Sequence, residues 1–129
     1  MKFEQMFGIV DPIKLAQWYT HPEGGEFLIA PMGNVKQVEE NLKRMKNGKN
    51  PTDDMSLYEQ KLMSCDIMAT AVLLDWKDID DRDGNKQEYT VKAGAEALYN
   101  HDSFREFVSE TATALADNSA TQEDDVTKN

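Results

Sequence analysis

Several features that often reveal the class of a protein are missing from this sequence. The 129 residues include a single cysteine, so no internal disulfide can form and nothing indicates a secretory compartment. No apolar run approaches the roughly 18 residues of a membrane-spanning helix. The first residues, Met1 to Gln5, lack the apolar stretch of a signal peptide. We therefore expect a cytoplasmic protein that does not enter a membrane.

Positive charge is also scarce, and what there is lies unevenly along the chain. The 14 Lys and Arg are outnumbered by 24 Asp and Glu, which gives a net charge of −10. Residues 1–51 carry 7 basic and 6 acidic side chains, a balance of +1, whereas residues 52–129 carry 7 and 18, a balance of −11. Such a surface repels phosphate backbones and anionic lipid, so the composition disfavours nucleic acid and membranes and favours a basic protein partner.

The residues that are present predict one α+β domain, predominantly helical, in which an N-terminal β-hairpin precedes about four amphipathic helices. Two β-prone runs, near 14–20 and 26–31, flank the turn residues Pro22 to Gly25 and predict the hairpin. A lone hairpin is marginally stable in water, so we expect it to lie on the helices or on another subunit.

Capping residues and apolar spacing predict the four helices. They begin after Asn34, Ser56, Thr90 and Ser103, and three of these caps are followed by Glu or Gln in the capping-box position. The second helix is the clearest, because its apolar stripe runs from Tyr58 to Trp76 at 3.6-residue spacing. We assign residues 1–116 to a single globular domain. The polar and acidic residues 117–129 are predicted to form a disordered tail.

The acidic turn that follows Trp76 raises the question of calcium. An EF-hand loop needs Asp at its first position, Gly at its sixth and Glu at its twelfth. With Gly84 as the sixth residue, Asp81 and Asp83 are well placed, but the first position is Ile79 and the twelfth is Thr90. Two ligands are missing, so we interpret the segment as a solvated turn with local hydrogen bonds and keep a calcium-binding module as a minor alternative.

The residue pattern gives little support to a zinc site or to a phosphate-binding loop. Cys65, His21 and His101 are not at the spacing of zinc ligands, and Cys65 falls on the apolar stripe of the second helix. Gly24-Gly25 is not followed by the Lys-Ser/Thr of a phosphate-binding loop. The sequence therefore predicts a protein that is not an enzyme and that needs no cofactor or metal.

The segment from Leu73 to Tyr99 resembles the tail assembly chaperones of long-tailed bacteriophages. In that family a helix ends in a Trp-Lys pair, here Trp76-Lys77, and an acidic turn with glycine follows, here Asp83-Gly84. An aromatic-Thr pair, Tyr89-Thr90, then opens a helix, and an aromatic residue stands near the start of the next helix, here Phe104. With the N-terminal strands and the Asn-led helix, the resemblance covers roughly residues 12–116.

The resemblance implies an assembly factor in the host cytoplasm. Proteins of that family bind the tape measure protein, keep it soluble until tail tube protein polymerises around it, and are absent from the finished virion. Many also exist in a longer form made by ribosomal frameshifting, and the tail from Asp117 would be the junction here. A structural minor tail or head–tail connector protein is the alternative, since it shares this size and acidity.

A client-binding or self-association surface can be suggested from the apolar residues outside the predicted stripes. It comprises Trp18, Tyr19, Met55, Met63 and Met68. Methionine side chains adapt to varied apolar partners, although ordinary core packing is the commoner role of any one of them. A hairpin edge together with a Met-rich face leads us to expect a homo-oligomer.

Overall fold

The computed structural model describes residues 15–45 and 54–127, with side chains as far as residue 118. Its elements, in chain order, are β1 (Gln17–Thr20), β2 (Glu26–Ile29), α1 (Val35–Arg44), α2 (Leu57–Ala71), β3 (Leu73–Lys77), α3 (Val91–Asn100) and α4 (Asp102–Thr127). The predicted fold class is confirmed: within these residues, a small antiparallel sheet accompanies four helices. The sequence also predicts a linker at residues 49–54, of which all but Asp54 lie outside the described residues.

The predicted hairpin forms, although its first strand begins at Gln17 and not near residue 14. Its turn explains the pair of glycines. Gly24 and Gly25 have φ values of 107° and 85°, a region that L-residues with side chains rarely adopt. The backbone N–H of His21 donates to the carbonyl of Gly25 at 3.0 Å and closes the turn. A Cβ at Gly25 would lie 2.8 Å from the Cδ1 atom of Ile79, so a larger residue would also require the end of that side chain to move.

A third strand completes the sheet in the order β1-β2-β3, which corrects the prediction that the second helix reaches Trp76. The helix ends at Ala71, and the chain reverses into β3, where Phe27 pairs with Trp76 and Ile29 with Leu73. Leu28 pairs with Asp75, so Leu74 is an extra residue on β3 and forms a β-bulge. The bulge brings Leu73 and Trp76, three positions apart, onto the same buried face.

The core lies between one face of this sheet and the three helices α2, α3 and α4. Its buried side chains are Phe27, Ile29, Cys65, Met68, Ala69, Val72, Leu73, Trp76, Leu98, Val108, Ala112 and Leu115. From the predicted stripe of the second helix, Cys65 and Ala69 are buried as expected. Tyr58 and Leu62 are exposed instead.

The predicted caps are confirmed for three of the four helices. Asn34, Ser56 and Thr90 each accept a hydrogen bond from the backbone N–H three residues ahead. The cap predicted at Ser103 is wrong: α4 already begins at Asp102, and the N–H of Arg105 donates to the carbonyl of His101 at 3.0 Å. His101 alone therefore separates α3 from α4.

Helix α4 continues along the backbone to Thr127, past the predicted domain end at residue 116. The side chains from residue 119 onward lie outside the described part of the chain, so the domain limit and the disordered tail stay predictions. None of the helices in the described ranges is both long and apolar enough to span a membrane.

Candidate functional site

The residues that carry the family resemblance, here called the signature residues, include Trp76 and Tyr89, which lie together in the structure. Their rings meet edge to face, with centroids 5.0 Å apart. The indole N–H of Trp76 donates to the carbonyl of Gln87 at 2.9 Å. The hydroxyl of Tyr89 lies against the carbonyl oxygens of Ala69 and Leu73, at 2.6 Å from the latter. These contacts hold the segment that precedes α3 against the junction between α2 and β3. The role of Trp76 and Tyr89 is therefore structural.

Burial changes the pKa of the Tyr89 side chain. Desolvation first, and then the charge of Asp75, raises the pKa of the Tyr89 phenol well above its ordinary value. The folded protein therefore holds this proton more tightly than the unfolded chain does. The contribution of this proton to the free energy of unfolding is fully present below the ordinary tyrosine pKa of about 10. It is lost as the pH rises through the higher pKa that Tyr89 has in the folded protein.

The other signature residues also serve the scaffold. Phe104 packs on Phe27 with ring centroids 5.0 Å apart and so joins α4 to the sheet. Asp83 and Gly84 are exposed in the acidic turn, where Gly84 has a φ of 80°. The carboxylate of Asp81 accepts hydrogen bonds from the backbone N–H groups of Asp83 and Asn85, at 2.9 and 3.0 Å.

These hydrogen bonds confirm the predicted turn structure, because Asp81 binds the backbone of its own loop. Within the described ranges, no group of three or more His, Cys, Asp or Glu side chains is arranged to hold a metal ion. Cys65 is buried in the core as predicted, and its burial raises the pKa of the thiol. The structure thus offers no built metal site in the part that it describes, and its cysteine lies away from solvent.

The five residues of the predicted client surface are not brought together. Trp18 lies on the sheet face away from the helices, where the ammonium of Lys77 is 4.1 Å from the ring centroid. Tyr19 is half-buried against the core, and Met68 is 6% exposed within it. Met68 therefore contributes packing and no exposed surface. Only Met55 and Met63 share a site.

That site is an open groove of about 830 Å³ between α2 and α3. The two helices run antiparallel here, since Tyr58 at the start of α2 meets Tyr99 at the end of α3, with ring centroids 5.7 Å apart. The groove is lined by apolar side chains from both helices and from the residue before α2: Met55, Tyr58, Leu62, Met63, Val91, Ala95 and Tyr99. The apolar spacing of α2 and α3 predicts core positions for most of these residues, and the structure places them in the groove instead.

Charged side chains stand along the groove. Glu59 and Asp66 come from α2, Lys92 and Glu96 from α3, and Arg44 from the end of α1. The guanidinium of Arg44 is already engaged, at 2.6 Å from Asp66 and 2.8 Å from Glu40. The groove is thus an apolar channel with a mixed and slightly acidic border. Its shape and chemistry suit the apolar face of a helix better than a small polar substrate.

The chain matches a known protein family. Residues 29–129 match the sequence model of the YdaY prophage protein family. Neither the curated proteins nor the solved structures yielded a match. The matched range contains the last residue of β2 and every later element, including both helices of the groove. The phage origin implied by the sequence resemblance is therefore confirmed, and the chain belongs to the YdaY prophage protein family.

Proposed function

We propose that this prophage protein is a tail assembly chaperone that binds the tape measure protein, keeps it soluble and helps recruit tail tube subunits. The observation that carries the proposal is the apolar groove between α2 and α3. A long helical client must have its apolar stripe covered before assembly, and a two-helix groove can cover such a stripe by adding a third helix to the pair.

The lining of the groove supports a client rather than a single fixed ligand. Met55 and Met63 are unbranched and polarisable, so they adjust to different apolar side chains along a client helix. Leu62 is 40% exposed and Val91 42%, which leaves apolar area for a partner to bury. Each buried methylene contributes about 0.8 kcal/mol, so a few client side chains can supply useful affinity.

Charge supports the same role. The −11 balance of residues 52–129 attracts basic client segments and keeps the complex in solution. In this proposal the protein acts in the host cytoplasm by binding alone, without catalysis or a cofactor, and leaves before the virion is complete. It does not bind nucleic acid or membranes.

Co-expression with the tape measure protein of the same prophage tests the proposal. We expect the client to shift from the insoluble to the soluble fraction and to copurify with the chaperone. Leu62→Lys places a charge in the groove and should abolish both effects. Leu57→Lys is the matched control, because Leu57 is 84% exposed on the same helix and does not line the groove.

Two results would contradict the proposal. If the unaltered protein gives no soluble client and no complex, the chaperone function is wrong. If Leu62→Lys binds as well as Leu57→Lys does, the client uses another surface. Mass spectrometry of purified particles addresses the alternative: a chaperone should be absent, whereas a minor tail or connector protein should be present in fixed stoichiometry.

A further inference from the structure

Helix α1 packs on the domain with its polar face and turns its apolar face outward. Its only buried residue is Glu40. Four apolar side chains at helical spacing, Val35, Val38, Leu42 and Met45, are between 39% and 61% exposed. We call these four residues the α1 stripe. The spacing that predicts an amphipathic helix is correct, but the apolar face lies on the opposite side from the core.

Polar contacts at both ends hold α1 in this orientation. At its start, the side-chain amide of Asn34 donates to the carbonyls of Pro31 and Ala71, at 2.7 and 2.9 Å. At its end, Arg44 joins Glu40 to Asp66 of α2. Rolling the α1 stripe onto the core would break both sets of contacts, so the stripe is fixed as an outward surface.

The charges of α1 indicate what covers the stripe. Lys36, Lys43 and Arg44 slightly outnumber Glu39 and Glu40, although the whole chain carries −10. Two copies of the protein repel each other over most of their surface, and least where these helices meet. A basic client helix, by contrast, gains more from the acidic surface elsewhere. A second copy is therefore the partner that the charge pattern favours.

The flank of the stripe is also self-complementary. Glu39 and Lys43 are four residues apart and lie side by side along one edge of the stripe. In an antiparallel pair of α1 helices related by a two-fold axis, this edge of one helix lies against the same edge of the other, which runs in the opposite direction. Glu39 of each helix then faces Lys43 of the other. Lys43 already contacts Glu40 at 3.3 Å, yet its side chain is 65% exposed and open to a second carboxylate.

We propose that the α1 stripe is the contact of a two-fold symmetric homodimer, closed by two Glu39–Lys43 pairs between the protomers. Four apolar side chains per protomer cover less than the roughly 800 Å² per partner of a standard stable interface. The dimer should therefore be reversible and depend on protein concentration. The groove between α2 and α3 stays free in this arrangement, since none of the stripe residues lines it.

Sedimentation velocity over a range of concentrations, with the purified protein alone, tests the dimer. We expect a monomer–dimer equilibrium in which Leu42→Glu raises the dissociation constant at least tenfold. Leu57→Glu, an exposed leucine outside the stripe, should leave the dissociation constant unchanged. Circular dichroism of each variant verifies that the fold is kept. The measurement needs no client, so it is independent of the chaperone proposal.

A charge exchange examines the two-fold pairing itself. Glu39→Lys or Lys43→Glu alone should raise the dissociation constant about tenfold, because each removes two ion pairs and introduces repulsion. The double exchange, E39K with K43E, should restore the original value. A protein that stays monomeric at every concentration, or a dimer insensitive to Leu42→Glu, would overturn the proposal. Failure of the double exchange to restore affinity would overturn the antiparallel pairing.

Discussion

At the scale of single residues, the junction between α2, β3 and α3 depends on one tyrosine and the glycine beside it. The helix α3 contains Gly94, whose φ is ordinary for a helix, so backbone conformation does not require glycine here. The requirement is space: a Cβ at this position would lie 2.6 Å from the Cε2 atom of Tyr89 and 2.8 Å from its hydroxyl. Tyr89 cannot retreat without losing Trp76 and two carbonyl partners.

Gly94→Ala should therefore destabilise the protein, by about 1–3 kcal/mol from overpacking. In an uncrowded helix interior the same change stabilises by up to about 1 kcal/mol. Urea unfolding followed by circular dichroism measures the difference. The control is a double-mutant cycle: in a Tyr89→Ala background, Gly94→Ala should become neutral or stabilising. A stabilising effect in the unaltered background would show that the ring moves aside freely.

At the scale of secondary-structure elements, Asn34 connects two helix ends. Its side-chain oxygen accepts from the N–H of Gln37 and caps α1, while its amide group donates to the carbonyl of Ala71 in the last turn of α2. Asn34 is 1% exposed. Capping alone could be done by Asp as well as by Asn, but only Asn also offers the donors that the second helix needs.

Asn34→Asp should consequently cost at least about 2 kcal/mol, since a buried carboxylate would face the carbonyls of Pro31 and Ala71 without a donor. The free energy of unfolding in urea at neutral pH is the measurement. Ser56→Asp provides the comparison, because Ser56 caps α2 at an exposed site and the change should stay within about 0.5 kcal/mol. Equal effects at the two caps would mean that the Ala71 contact contributes nothing.

The element scale also shows why part of the fold could not be predicted from the sequence. The hairpin, the caps at Asn34, Ser56 and Thr90, and the four helices follow from local patterns, and the structure contains them. The strand β3 was missed because its bulge places Leu73 and Trp76 on one face at a three-residue spacing, which is typical of a helix. The direction of the α1 stripe depends on the contacts of Asn34 with Ala71 and of Arg44 with Asp66, which are tertiary contacts that no local pattern contains.

The candidate site was predictable only in part for a related reason. Met55 and Met63 were proposed as surface residues and do line the groove, but Met68 faces the core from the same helix. Met63 and Met68 are five residues apart and so lie on different faces of α2, and which face the core covers is set by tertiary packing. Trp18 is separated from the groove because it lies on the far side of the sheet.

At the scale of the whole molecule, unbalanced negative charge opposes compactness. Asp78, Asp80 and Asp83 are all exposed within one short segment, and they add to the excess of acid over base in residues 52–129. Folding brings such charges closer together than they are in the expanded chain, so their mutual repulsion lowers stability. Salt screens exposed charges over about 8–10 Å at physiological ionic strength.

Added sodium chloride should accordingly raise the melting temperature, even though it also weakens the ion pairs of Arg44 and Arg105. The triple variant Asp78→Asn, Asp80→Asn, Asp83→Asn should be more stable than the parent at low salt and show a smaller increase on adding salt. Asp81 is left unchanged because its carboxylate holds the turn. Thermal unfolding of dilute protein, below the concentration at which the proposed dimer would form, makes the comparison. A melting temperature that falls with salt would mean that local ion pairs outweigh the overall repulsion.

The order of strands in the sheet has a consequence for how the protein is made. β2 is the middle strand, but its second neighbour, β3, is separated from it in the chain by all of α1 and α2. At ribosomal speeds of about 5–20 residues per second, the edge of β2 that later pairs with β3 remains unpaired for a time on the order of seconds. The hairpin can form during synthesis, whereas the sheet closes only after Trp76 has emerged. Folding thus begins locally and finishes with a long-range step, in which the C-terminal half of the domain completes a sheet started by the N-terminal half.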